Sequence, residues 1–192
     1  MIADCSSKAV LKPLILKGIF LLLLLSGCTV APTVPSLDRH FAIVGKFGIK
    51  QADTGYSANF SWQQFEQGYD IEVWGPLGQG RTLMQGNGQR MSVLRGEQIV
   101  AQGSPEAVMQ ANLGWSVPIH VLPAWIRGEP DSELAFDAAV YDDQGRFTAF
   151  TQAGWQVNLS RYTVRQEFAT PARIVAMSGV KKVTVVVREY AQ

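Results

Sequence analysis

The chain has 192 residues, a formal charge of +1 and a hydrophobic fraction of 47%, enough to bury a sizeable core. So small a net charge, with no block of Lys and Arg, excludes the electrostatic footprint of a nucleic-acid binder. The two cysteines, Cys5 and Cys28, lie near the start, so the body of the chain has neither a disulfide nor thiol chemistry to call on.

Lys8, Lys12 and Lys17 precede an apolar run, Gly18 to Leu25, that closes on Leu25-Ser26-Gly27-Cys28. The run fits the h-region of a signal peptide and is too short for a membrane-spanning helix. Small residues before a cysteine resemble the bacterial lipoprotein lipobox, which implies cleavage after residue 27 and acylation of Cys28. Removing residues 1–27 takes away three lysines and one aspartate, so the formal charge falls from +1 to −1 over the remaining 165 residues. That length suits one domain. One acyl chain anchors only marginally, whereas two or three on one cysteine hold a protein to a bilayer durably. Thr29 stands where an inner-membrane retention signal has Asp, which by resemblance to that sorting rule places the anchor in the outer membrane, facing the periplasm. Pro32 and Pro35 mark a tether, so residues 28–40 read as lipidated N-terminus and tether and 41–192 as the folded domain.

From residue 43 the pattern has period two, as in strands. Ile43 to Ile49, Ala58 to Trp62 and Tyr69 to Val73 alternate, followed by Arg81 to Gln85, Arg90 to Arg95 and Gln98 to Gln102. Ser104-Pro105-Glu106 then supplies an N-cap, a first-turn proline and an acid at the positive helix end, predicting a helix up to Gly114. A second helix is predicted from near Pro118, with Val121, Leu122, Trp125 and Ile126 on one face, ending at Gly128. Strands resume at Glu133 to Tyr141, Phe147 to Gln152, Trp155 to Tyr162, Ala172 to Met177 and Val183 to Val187. The fold class is α+β, about ten or eleven antiparallel strands with inserted helices. The strand aromatics either fill its core or line a partly empty barrel.

No catalytic or metal constellation emerges. His40 falls in the tether and His120 on the second helix, with no further ligand at metal spacing. Gly55-Tyr56-Ser57 lacks the final glycine of a nucleophile elbow, and Gly75 to Gly80 lacks the Lys-Ser/Thr of a phosphate loop. Asp142 and Asp143 open a solvated turn. A protein without a nucleotide site works by binding and release, and no cofactor is expected. In Gly75-Pro76-Leu77-Gly78, proline and glycine suit a type I turn, which either puts Leu77 at the tip or lets it fold back under the sheet.

Gly45, Phe60-Ser61-Trp62-Gln63-Gln64, Tyr69, the Gly75–Gly78 turn, Pro118, Leu122 to Gly128, Gln152 to Val157, Tyr162 and Pro171 follow one another as in the LolB family, and with the lipobox the chain resembles that family. The resemblance implies an unclosed antiparallel barrel covered by helices and enclosing an apolar cavity. It implies an outer-membrane acceptor that takes lipoproteins from a LolA-like periplasmic carrier, binds their acyl chains, and inserts them into the inner leaflet of the outer membrane without catalysis. The family's protruding apolar loop falls on Leu77, flanked by Pro76 and Gly78. Phe47, Phe60, Trp62, Ile71, Val73, Leu83 and Trp125 are the expected cavity lining, and a monomer is expected. The alternative is a scaffolding lipoprotein of an envelope assembly complex, with a solid core.

Overall fold

The computed structural model describes residues 39–165 and 168–191; residues 1–38, on which the expected signal peptide, Cys28 and most of the expected tether fall, lie outside them. The alternating segments become eleven strands, β1 (Arg39–Gln51), β2 (Thr54–Phe65), β3 (Gly68–Trp74), β4 (Thr82–Gly86), β5 (Met91–Arg95), β6 (Gln98–Gly103), β7 (Phe136–Tyr141), β8 (Phe147–Gln152), β9 (Trp155–Arg165), β10 (Phe168–Ser178) and β11 (Lys181–Ala191). Two helices, α1 (Pro105–Leu113) and α2 (Leu122–Arg127), lie between β6 and β7. Strand β1 takes in Arg39 and His40, which the sequence pattern assigned to the tether.

All eleven strands form one sheet, ordered β6-β5-β4-β3-β2-β1-β11-β10-β9-β8-β7. Its first and last strands pair in the middle, Gly45 opposite Val187 and Gln51 opposite Lys181, joining two antiparallel meanders. Strands β6 and β7 are the free edges, so the sheet does not close. The chain must cross from one edge to the other, and α1 and α2 make that crossing.

Local chemistry sets the helix limits. Ser104 Oγ accepts from the Ala107 N–H at 3.4 Å, Pro105 occupies the first turn, and Gly114 ends α1 at φ 73°. The second helix begins later than its hydrophobic spacing predicts. Pro123 has no N–H, so a helix running from Pro118 would lose a bond at its centre. Residues 118–121 form a turn instead, with Val121 N donating to Pro118 O at 3.1 Å, and Pro123 falls in the first turn of α2, where its missing donor costs nothing. Gly128 ends α2 at φ 95°, and a Cβ there would meet Pro171 Cδ at 3.0 Å and Tyr162 Oη at 3.1 Å. Only glycine fits both the left-handed backbone and that contact.

One face of the sheet carries the core. Phe41, Ile43, Phe60, Trp62, Tyr69 and Ile71 come from β1–β3, and Phe150, Trp155, Val157, Leu159 and Ile174 from β8–β10. Val108 and Met109 of α1, Ile119 and Val121 of the connecting turn, and Trp125 and Ile126 of α2 cover them. Tyr162, its hydroxyl pushed up to about 12 chiefly by burial, stays a neutral donor and bonds Phe147 O at 2.6 Å beside the α2 terminus.

The crossing is fixed to the sheet by Gln152, 2% exposed at the end of β8. Its Oε1 accepts from Trp125 Nε1 at 3.0 Å and from Asp131 N at 2.8 Å. Its Nε2 donates to Asp131 O at 2.8 Å and Leu134 O at 3.0 Å. One buried side chain thus satisfies four groups of α2 and the segment after it, and each group left unpaired in a buried site costs about 1–3 kcal/mol. Gln152→Leu, similar in volume and without polar atoms, is expected to destabilise the fold by about 3 kcal/mol in urea unfolding. A loss well under 1 kcal/mol would show that water replaces these bonds and that the brace is dispensable.

Candidate functional site

Two features form the site, an apolar interior under the helical crossing and an exposed loop at one end of the sheet. Directly opposed residues of an antiparallel pair share a face, so the register sorts the expected lining. Phe60 opposes Val73, Trp62 opposes Ile71 and Phe47 opposes Ala58, which puts all of these on the core side. Phe60, Trp62 and Ile71 are buried in the cluster, and Phe47 and Val73 pack half-buried against it. Trp125 is 1% exposed, its ring meeting Phe150 edge-on at 6.3 Å. Leu83 is the exception. It opposes Glu72 on one side and Leu94 on the other, while its neighbour Met84 opposes Ile71. Met84 therefore faces the interior, and Leu83 lies on the outer face.

The interior holds one polar surprise. The Tyr69 hydroxyl is buried without a hydrogen-bond partner among the described residues. Burial, and secondarily the Glu106 carboxylate, raise its pKa, so it remains a neutral phenol at every physiological pH. His120, expected on a helix, sits in the turn before α2 with its Nδ1 4.0 Å from Glu106 Oε1. Among the described residues no group of three or more His, Cys, Asp and Glu is placed to hold a metal. No described helix is long and apolar enough to cross a membrane.

The loop between β3 and β4 is built as a rigid turn. Gly78 N donates to Gly75 O at 2.9 Å, Gly75 N to Gln79 O at 2.8 Å, and Leu77 N to the Gln79 side-chain oxygen at 2.9 Å. Pro76 fixes one central position and Gly78 takes φ 83°. Leu77 is 92% exposed, so it does not fold back under the sheet. Behind the turn, Arg81 stacks 4.9 Å over the Trp74 ring and bonds Glu72 at 2.8 Å, bracing the base of the loop. An apolar side chain is thus held in water by a backbone network that gains nothing from it.

Gln152 was legible only as part of a resemblance, because a glutamine at a strand end carries no signal of its four partners. The contributions of Met91, Val117 and Ile119 to the core were missed for a similar reason. They flank turns or lie between elements, where no period marks the buried face.

Comparison with known proteins agrees with this architecture. The family model described as outer membrane lipoprotein LolB matches residues 39–190. An outer-membrane lipoprotein LolB of Chromohalobacter salexigens is 31% identical over 90% of this chain and 88% of its own length. One from Stutzerimonas stutzeri is 32% identical over 82% of this chain and 76% of its own. Among solved structures, a LolA superfamily protein from Nitrosomonas europaea superposes with a TM-score of 0.54 at 8% identity, covering 81% of this chain and 86% of that one, and shows the fold alone. With its unclosed eleven-stranded sheet, helical crossing and projecting leucine turn, this chain belongs to the LolB family of outer-membrane lipoproteins.

Proposed function

We propose that the protein is an acceptor that receives lipoproteins from a LolA-like periplasmic carrier, holds their acyl chains in its interior, and releases them into the outer membrane without covalent chemistry. The observation that carries this reading is the large aromatic interior covered by two short helices rather than sealed by the sheet. Helix α1 presents few buried side chains, chiefly Val108 and Met109, so this half of the cover has little to lose by moving, whereas α2 is tied down through Trp125. Phe60, Trp62, Ile71, Val73, Phe47 and Trp125 would line the space opened beneath it.

A ~16-carbon chain exposed to water costs on the order of 10 kcal/mol, so cargo must pass from one apolar chamber to the next without leaving shelter. With no nucleotide site expected, direction comes from rising affinity: carrier, then this interior, then bilayer. Leu77 would enter the bilayer surface, where burial of a leucine contributes about 1.5–3 kcal/mol, with Pro76 and Gly78 setting its presentation. Acylated Cys28 would keep a monomer at the destination. The packed aromatic interior also suits a second reading, a scaffolding lipoprotein with a solid core.

Mixing the purified protein with a loaded carrier is expected to move cargo, read by co-purification; a carrier that keeps all its cargo would contradict the acceptor reading. Leu77→Glu is expected to leave acceptance intact and slow delivery to vesicles by about ten- to a hundredfold, corresponding to the ~1.5–3 kcal/mol of leucine burial. Equal loss of both steps would instead assign Leu77 to folding. Cys28→Ser is expected to release the protein from membranes in cell fractionation while its unfolding curve is unchanged, and membrane retention of the variant would refute the anchor.

A further inference from the structure

Every lysine after Cys28 belongs to one of two adjoining strands, Lys46 and Lys50 on β1, Lys181 and Lys182 on β11. Lys50 and Lys182 oppose each other directly, a like-charge pair that costs stability in a free sheet. Lys46 points to the same outer face, and Lys181 opposes Gln51 at the rim. None of the four has an ion-pair partner among the described residues. Between them the outer face is hollowed into a depression whose lining includes Lys50, Lys182, Asp53, Ser57 and Thr184, with one carboxylate against two ammonium groups and the Ser57 and Thr184 hydroxyls.

The β10–β11 turn rises beside this depression. Gly179, at φ 57°, takes the first central position of the two-residue turn, leaving Val180 at the second. Any polar residue would serve there, yet Val180 is 71% exposed. The pairings Asn59–Trp74, Gln51–Thr54 and Gln51–Lys181 put this turn at the same end of the sheet as the Leu77 loop. About four strand spacings, ~19 Å, separate the two hairpins. Val164 and Phe168 are also exposed but lie at the opposite end.

We propose that the β10–β11 turn is a second membrane-contact point, in which Val180 enters the surface of an anionic phospholipid leaflet and Lys46, Lys50, Lys181 and Lys182 hold its headgroups. This rests on the reading of Leu77 as a membrane contact and adds a second anchor to it. One inserted side chain lets a tethered domain swivel. Two contacts across the rim fix which end of the sheet faces the bilayer. The Lys50–Lys182 repulsion is then a cost carried by the free protein and relieved when a phosphate settles between the two.

The test uses the full lipidated protein in vesicles of phosphatidylcholine with or without phosphatidylglycerol. Cys28 is acylated in it, so an environment-sensitive fluorophore on Val180→Cys, Leu77→Cys or, at the far end, Asp143→Cys is the only label. Quenching by lipid-borne quenchers is expected at positions 180 and 77 but not 143. Lys50→Gln with Lys182→Gln is expected to reduce it at 180 by about fivefold per lysine on anionic vesicles. Quenching at 77 alone would overturn this proposal and leave the Leu77 reading standing; quenching at neither would overturn both. Lys182→Glu adds a readout that a merely structural role would not give: thermal stability should rise as delivery to anionic vesicles slows. Parallel loss of both would overturn the role assigned to the lysines.

Discussion

A single buried amide holds the most consequential joint in this molecule. Because β1 pairs with β11, the two meanders meet in the middle of the sheet and leave β6 and β7, consecutive in the chain, as its two opposite edges. The chain has to bridge those edges, and a bridge of two short helices has little intrinsic stability of its own. Gln152 supplies what the helices lack. By bonding the Trp125 indole and the backbone of Asp131 and Leu134, it ties the end of the crossing to β8 and orients the largest buried ring over the core. Tyr162 and Gly128 secure the α2 terminus from the other side. Among the described residues the opposite end, at α1, has no comparable brace and is held by a capped first turn and a few apolar contacts.

That asymmetry suits a protein that shelters acyl chains. A cover fixed at one end and lightly seated at the other can yield without unfolding the sheet. The Tyr69 hydroxyl, without a hydrogen-bond partner among the described residues, is an uncompensated polar group of the interior that feels the charge of Glu106 on α1. Projecting from one end of the sheet, the Leu77 turn is as rigid as its three hydrogen bonds can make it, so its leucine is presented rather than sampled.

Much of this was legible in the chain. Period-two alternation located the longer strands such as β2 and β3, because these have one face on the core and one in water, and the Ser104 cap and Gly114 marked α1. What failed had local causes. Thr82-Leu83-Met84-Gln85-Gly86 has two adjacent apolar residues and no alternation, so which one faces inward depends on a pairing with β3 that the segment itself does not encode. Hydrophobic spacing overextended α2 because it ignored what Pro123 forbids. Neither the fate of Leu77 nor the exposure of Val180 could be read locally, since a turn residue and a core residue look alike until the chain around them is placed.

The central claim is that the aromatic interior admits an acyl chain. It is tested most directly by titrating the mature protein with a fluorescent fatty acid and following energy transfer from its tryptophans, with palmitate as competitor. The account predicts saturable uptake that palmitate displaces. No uptake, or signal that palmitate leaves unchanged, would mean that Trp62, Trp125 and their neighbours form a solid core, and the acceptor reading would fall.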